Sequence, residues 1–223
     1  MDKRIPFKKV EPKSLPLGKK VLVLGTNNLP FHRIDMAGPI LSKILNEAQF
    51  ETIITQNLDM LKAENLGEFD ILLNYYTKGN LDMAQIKGLL SFVNAGGGLM
   101  GLHSAADSFR DSAIYLELLG GIFRRHPPHQ KFNIRVSNQE HPITKGISDF
   151  EVYDELYILH HDPDLYNLLL YCDWENKRHP VAWTREHGRG KVFYLSLGHT
   201  KEALTHPTFQ KILVRGMNWL RGI

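Results

Sequence analysis

Residues 96–107 constrain the fold of this chain more than any other stretch. Their sequence, GGGLMGLHSAAD, predicts a buried strand over residues 98–102 that turns sharply at His103 into a helix. Gly101 and Ala105 stand two positions before and two positions after His103. This spacing of small residues is typical of a nucleophile elbow, a strained strand-to-helix turn in which bulky neighbours would clash.

The central residue of this elbow is a histidine, where hydrolases of this type carry a serine or a cysteine. An imidazole can transfer a proton, stack or bind a metal, but it is a poor acyl nucleophile compared with a thiolate. The elbow therefore predicts that the imidazole of His103 is presented at the carboxyl end of a strand without the usual nucleophile.

The first half of the chain alternates between strand and helix patterns. Apolar runs typical of buried strands occupy residues 20–25, 50–55 and 69–75. Apolar residues recur at helical spacing from Asp35 onward and again over residues 82–94. Repetition of strand, helix and strand predicts right-handed crossovers and an α/β fold with a doubly wound, mostly parallel sheet.

After the elbow helix, which we expect to end near Gly120, the pattern changes to short strands. These strands are predicted over residues 131–136, 151–159, 168–172 and 180–184. Because no linker-like stretch separates them from the first half, we interpret them as an antiparallel extension of the same sheet. A buried strand over residues 191–197 and a helix over residues 209–220 close the chain.

The 223 residues are enough to bury one sizeable core, and we expect a single domain over residues 19–223. Residues 1–18 combine prolines with lysines, a composition typical of an extended arm. The formal net charge of +3 is small and much of the excess lies near this arm, so the sequence does not predict a nucleic-acid partner. An interaction subunit that assembles through the arm is one alternative.

Two further features bear on location. No apolar run approaches the roughly 20 residues needed to span a bilayer, and the amino terminus lacks the apolar core of a secretory signal. The lone Cys172 rules out an internal disulfide, which fits a reducing compartment, and its apolar neighbours predict a packed thiol. We therefore expect a cytoplasmic protein with no membrane partner, and the sequence leaves a homo-oligomer open.

Three of the eleven histidines follow predicted parallel strands: His32, His103 and His199. Open parallel sheets bind ligands outside the carboxyl ends of their strands, so we expect these imidazoles to lie at one edge of the sheet. Two or three imidazoles with a carboxylate form the ligand set of a catalytic zinc-like site. The same groups also fit metal-free acid–base catalysis or binding of sugar hydroxyls.

The candidate carboxylates are Asp107, Asp154 and Glu155. Asp107 lies about one helical turn beyond His103, where it would orient that residue or cap the helix. In a strand over residues 151–159, alternation would send only one of Asp154 and Glu155 inward. It would also place Glu155 and Tyr157 on one face, which is either the polar wall of a site or an exposed strand face.

Other histidines lie in loops. His126 and His129 flank two prolines just beyond the elbow helix, and we expect this stiff loop to form a rim of the site, with a metal pair as the alternative. His160 and His161 are adjacent and would point apart, so we interpret them as structural.

Five motifs together resemble the trehalose-utilisation, or ThuA-like, family. In chain order they are GGGLMGLHSAAD, GGIFRRHP, HPITKGISDFEVYDELY, GRGKVFYLSLGH and HPTFQKILVRGMNWL. The resemblance covers the chain from Lys19 onward. It implies the flavodoxin-like fold of the class I glutamine amidotransferase-like superfamily.

In the amidotransferases of that superfamily, the elbow holds a nucleophilic cysteine, and a histidine followed two residues later by a glutamate ends a late strand. Here His103 stands at the cysteine position, His199 at the histidine position and Lys201 at the glutamate position, so we expect no glutaminase activity. The resemblance matches His32 and Glu155 to further polar positions of the ThuA-like family. It implies a role in the use of trehalose or a related keto-disaccharide.

The sequence thus predicts a sugar-modifying enzyme of unassigned reaction, with a small-molecule sugar as its partner. The expected catalytic residues are His103, His199 and Glu155. The expected substrate contacts are His32, Asp107, His126 and Tyr157. The expected ligands of a divalent metal such as zinc are His32, His103 and His199. The alternative is a non-catalytic sugar-binding or regulatory module on the same scaffold.

Overall fold

The structure, a computed structural model, describes residues 20–222. The predicted arm over residues 1–18 lies outside the described residues. Within residues 20–222, no helix is long and apolar enough to cross a membrane.

The described strands are numbered in chain order. They are β1 (Lys20–Leu24), β2 (Glu51–Thr55), β3 (Ile71–Asn74), β4 (Gly98–Leu102), β5 (Gly121–Arg125), β6 (Gln130–Val136), β7 (Phe150–Asp154), β8 (Ile158–His161), β9 (Asn167–Trp174), β10 (Lys177–His187) and β11 (Gly190–Leu195).

The α-helices are α1 (Ile34–Glu47), α2 (Ala63–Leu66), α3 (Met83–Asn94), α4 (Ala113–Leu119), α5 (Lys201–Thr205) and α6 (Pro207–Leu220). Short 3₁₀ turns occupy Leu58–Leu61, His103–Asp107 and Pro163–Leu165.

The main sheet has nine strands in the order β2-β1-β3-β4-β11-β10-β9-β6-β7. The first five of these strands run parallel, in the order 2-1-3-4-5 of flavodoxin-like folds when β11 is counted as the fifth. From β11 onward, each neighbouring pair is antiparallel. The predicted flavodoxin-like α/β fold with an antiparallel extension is confirmed.

The continuous apolar run of β1 is explained by burial on both faces of the sheet. Val21 and Val23 pack in the core cluster that contains the buried residues of α1 and α6. Leu22 and Leu24 pack in the second cluster, with the buried residues of α3 and α4. All four side chains are fully buried, as expected for a central strand covered by helices on both faces.

The predicted continuous elbow helix is wrong. Residues 103–107 form a single 3₁₀ turn, and α4 begins only at Ala113, where the Ser112 side chain caps it. Between this turn and α4, the chain forms hydrogen bonds to the loop after β3. The Phe109 amide donates to the Lys78 carbonyl (3.1 Å), and the Ser108 hydroxyl donates to the Tyr76 carbonyl (2.5 Å). These long-range bonds replace the intrahelical ones. The helix then ends at Gly120 as predicted, with a left-handed φ of 84°.

The predicted single strand over residues 151–159 is also wrong. The chain leaves the main sheet after β7, which pairs with β6, and then forms β8, which pairs with β5 in a separate two-stranded sheet. The strand β5 and the short helix α5 were not predicted. Residues 155–157 therefore lie between two strands with different partners, and strand alternation does not apply to them.

Gly216 offers a test of the packing between α6 and the sheet. Helix propensity alone predicts that Gly216→Ala stabilises the protein by about 1 kcal/mol. However, an added Cβ would lie 2.2 Å from the buried Phe193 ring. We therefore expect a net destabilisation of about 1–3 kcal/mol, measured by urea unfolding. As a control, Lys211→Ala on the exposed side of α6 should change stability by less than about 0.5 kcal/mol. A Gly216→Ala protein more stable than wild type would contradict this packing.

Candidate metal centre and its cleft

Four side chains meet at the carboxyl ends of the parallel strands: those of His32, His103, Glu155 and His199. One nitrogen or carboxylate oxygen from each of them lies within 4.8 Å of the other three. The loop after β1, the end of β4, the segment between β7 and β8, and the loop after β11 supply them in turn. The structure thus brings together the three histidines that the sequence placed at one sheet edge, and Glu155, which the sequence named as a catalytic candidate, lies beside them.

The elbow holds His103 in a left-handed backbone conformation with a φ of 43°. Such a conformation costs a non-glycine residue free energy, and the surrounding structure must stabilise it. The Tyr194 hydroxyl donates to the His103 carbonyl (3.0 Å), and the Ser104 hydroxyl donates to the Tyr75 carbonyl (2.9 Å). A Cβ on Gly101 would lie 2.4 Å from Leu119, so the small residue before the elbow is required by packing.

The His103 imidazole is completely buried, and its contacts define its tautomer. Its Nδ1 lies 2.7 Å from the carbonyl oxygen of Ser196, which can only accept, so Nδ1 carries the proton and donates. Burial lowers the pKa of His103 to about 3, and the ring is therefore neutral. Its Nε2 consequently presents a lone pair to the other members of the cluster.

His32 lies at the centre of the cluster. Its Nε2 is 2.8 Å from His199 Nδ1 and 3.0 Å from His103 Nε2, while its Nδ1 lies 3.1 Å from the hydroxyl of Thr77. Burial lowers the pKa of His32, which favours the neutral ring. The Thr77 hydroxyl can donate or accept, so His32 can adopt the tautomer that donates Nδ1–H to Thr77 and presents the Nε2 lone pair to a metal.

Glu155 supplies the negative charge. Its Oε2 lies 3.1 Å from His199 Nδ1, 3.4 Å from His103 Nε2 and 3.9 Å from His32 Nε2. Burial alone would raise the pKa of Glu155, but its close contacts with His103, His199 and His32 outweigh burial and hold that pKa well below its usual range. Glu155 is therefore an ionised carboxylate in a nearly buried position.

These four donors fit a divalent metal such as zinc. Zinc binds imidazole nitrogen at 2.0–2.1 Å, so the ligands of a tetrahedral site lie about 3.3 Å apart. The distances from His32 Nε2 and from Glu155 Oε2 to the other donors range from 2.8 to 3.9 Å. A metal-binding histidine commonly donates its other N–H to a carbonyl, as His103 does to Ser196. A proton shared among the same atoms is the alternative occupant.

Asp154 positions two members of the cluster at once. Its fully buried carboxylate accepts hydrogen bonds from the backbone amides of Gly198 (2.6 Å), His199 (3.0 Å) and Thr200 (3.0 Å). These bonds fasten the loop that carries His199 to the end of β7, next to Glu155. The expectation that only one of the two adjacent acids points inward is therefore wrong, because both are buried where the chain leaves β7.

A cleft of about 430 Å³ opens above the cluster. The predicted contacts His32, Asp107, His126 and Tyr157 all line it. The loop over residues 126–129 was expected to form a rim, and His129 does line the cleft, but no site role was predicted for three other lining residues, Phe31, Lys78 and Phe123. The stiff His126–His129 loop was a usable signal for His129, whereas nothing local in the sequence marked Phe31, Lys78 or Phe123.

The Asp107 carboxylate pairs with other partners than His103, and α4 is capped by Ser112 instead. The carboxylate pairs with Lys78 Nζ at 2.9 Å and with Arg110 at 3.2 Å, and it is nearly buried. Asp107 therefore holds a cation at the wall of the cleft instead of orienting the elbow.

The rim histidines reach the outer oxygen of Glu155. His129 Nε2 lies 2.7 Å from Oε1 and His126 Nε2 lies 3.4 Å from the same atom. Both imidazoles are partly exposed in the cleft, at 38% for His129 and 37% for His126. His161 lies apart from this centre, where it pairs with the hydroxyl of Tyr166 at 2.8 Å.

Comparison with known proteins gives a match to one family and several structures of similar fold. The model of the ThuA family, described as trehalose utilisation, matches residues 20–220. A ThuA-like protein from Parabacteroides merdae has a TM-score of 0.81 at 18% identity, over 92% of this chain and 90% of that one. A ThuA-like protein from Bacteroides uniformis has a TM-score of 0.76 at 23% identity, over 95% and 94% of the two chains.

A cytoplasmic protein from Salmonella typhimurium shares the fold more distantly. Its TM-score is 0.69 at 12% identity, over 90% of this chain and 99% of that one. No curated protein sequence matches this chain.

The role of Asp154 can be tested by Asp154→Asn. The amide nitrogen of asparagine cannot accept the backbone hydrogen bonds that one carboxylate oxygen accepts, so a buried amide of residues 198–200 loses its partner. We expect a loss of about 2–4 kcal/mol in the free energy of unfolding. The control Glu151→Gln, on the exposed side of β7, should change stability by less than about 0.5 kcal/mol. Equal stability of Asp154→Asn and wild type would show that these bonds do not hold the loop.

Proposed function

The chain belongs to the ThuA (trehalose utilisation) family, and from this premise we propose that it acts on trehalose or a related keto-disaccharide in the cleft above the histidine and glutamate cluster. The observation that carries this proposal is the convergence of three imidazoles and an ionised carboxylate beneath a cleft with aromatic and charged walls. Thioester chemistry on glutamine is no part of it, because a histidine stands at the elbow.

We propose that a divalent metal is bound by His32, His103, Glu155 and His199. Such an ion, when bound, would polarise a keto or hydroxyl oxygen of the sugar. His103 is completely buried and neutral, so its role is to hold the centre rather than to touch the substrate. The hydrogen bond from His103 Nδ1–H to the Ser196 carbonyl keeps the Nε2 lone pair directed at the centre of the cluster.

The cleft supplies separate groups for binding and for proton transfer. Phe31 and Phe123 offer apolar surfaces on which the C–H face of a sugar ring can pack, and Lys78 with Asp107 offers a donor and an acceptor for hydroxyls. His129 lies at the mouth with one ring nitrogen on Glu155. We assign proton transfer to and from the sugar to His129.

Two broader expectations stay predictions, a cytoplasmic location and a single domain over residues 19–223.

The metal assignment predicts about one divalent ion per chain, bound through several imidazoles. We expect His103→Ala and His199→Ala to lose most of this metal, measured by elemental analysis of protein purified without chelators or metal-affinity resin. Glu155→Gln, which keeps the side-chain volume, should weaken binding by at least about tenfold. His160→Ala serves as a control, because this exposed histidine lies outside the cluster. Unchanged metal content in both alanine variants would remove the assignment.

The sugar assignment predicts that Asp107→Asn and Lys78→Ala weaken trehalose binding by about tenfold, because each removes a charge-assisted hydrogen bond. Calorimetric titration measures this change, and the metal content should stay at the wild-type level. Lys211→Ala, on the exposed side of α6, is the control. Turnover of 3-keto-trehalose then separates an enzyme from a binding module: binding without turnover would favour the module, and absence of binding would contradict both.

A further inference from the structure

A second cleft adjoins the cluster, on the side of α1 and α5. It has a volume of about 290 Å³ and shares Phe31, His32 and His199 with the first cleft. The two clefts therefore meet over the two most accessible histidines of the cluster. A ligand that fills both of them must pass beside His32 and His199.

The chemistry of the second cleft differs from that of the first. Ala37, Ile40 and Leu204 contribute apolar surface, and Met36, which is 71% exposed, forms part of its wall. Among the described residues that line this cleft there is no aspartate or glutamate, whereas Asp107 and Glu155 line the first cleft.

Most side chains of the second cleft outside the two shared histidines are apolar. Of its remaining polar groups, the Arg33 Nε donates to Asp35 (3.1 Å) and the Tyr75 hydroxyl donates to the Gly198 carbonyl (3.0 Å), while Lys201 is exposed at the edge. A sugar ring carries several hydroxyls, and burying them with few hydrogen-bond partners has a free-energy cost. The second cleft therefore suits an apolar group better than a second sugar ring.

We propose that the second cleft binds the apolar aglycone, such as an aryl ring, of a glycoside whose sugar unit occupies the first cleft. This inference rests on the proposed function for the sugar half. It places the bond between sugar and aglycone beside His32 and His199, the residues that both clefts share. Phe31, which is 44% exposed between the clefts, packs against both parts of the ligand.

The experiment compares three ligands by calorimetric titration of the full chain: methyl β-d-glucoside, phenyl β-d-glucoside and trehalose. Burying the phenyl ring removes apolar surface from water, so we expect the phenyl glucoside to bind about tenfold or more tightly than the methyl glucoside. We expect the affinity of trehalose to exceed that of the methyl glucoside by much less. Trehalose binding as tightly as the phenyl glucoside would overturn the inference, because a second sugar ring would then fit equally well.

Two variants locate the effect. Ile40→Trp fills the second cleft, and Met36→Asp places a charge at its exposed wall without disturbing the core. Each should remove most of the phenyl advantage and leave methyl glucoside affinity within about twofold. The control Lys43→Asp lies on an exposed position of the same helix and outside the cleft. A phenyl advantage that survives both variants, or no phenyl glucoside binding at all, overturns the inference.

Failure of the sugar site gives a different pattern. Asp107→Asn should weaken the methyl and phenyl glucosides alike if the sugar unit lies in the first cleft. If it changes neither affinity, the proposed sugar site fails. If it weakens both while the phenyl ring brings no advantage in wild type, the aglycone inference alone fails.

Discussion

The hydrogen bond from His103 Nδ1 to the Ser196 carbonyl is the contact on which the site depends. It joins the end of β4 to the chain just beyond β11, two neighbouring parallel strands. It also fixes which nitrogen of a fully buried ring carries the proton, so that the other nitrogen meets Glu155 and His32 as a lone pair. The left-handed backbone of the elbow aims the ring at both partners, and its strain is offset by the packing of the surrounding strands.

The antiparallel extension completes what the parallel half begins. The parallel strands and their loops bring His32, His103 and His199 to one edge, but the carboxylate comes from the segment after β7. Asp154 and Glu155 have different roles. Asp154 binds the amides of the loop that carries His199, and Glu155 faces the imidazoles. Two buried carboxylates in sequence are tolerated because Asp154 accepts three backbone hydrogen bonds and Glu155 is surrounded by imidazoles.

Features set by local pattern and by topology could be predicted from the sequence. The run over β1 identified a buried strand, and the rule for parallel sheets brought His32, His103 and His199 to one edge. Features that depend on contacts between residues far apart in the chain could not be predicted. The break at Glu155 arises because β7 and β8 pair with different strands, and the partner of Asp107 is Lys78, 29 residues away in the chain. The pattern of residues along the chain shows neither which strands pair nor which side chains meet.

The four ligands also connect the beginning of the chain to its end. His32 follows the first described strand, whereas His199 precedes the last two helices. During synthesis, His32 and His103 emerge from the ribosome well before Glu155 and His199. A tightly held ion would therefore stabilise only the finished fold and not a partly folded precursor, so that metal binding would report on the completion of folding.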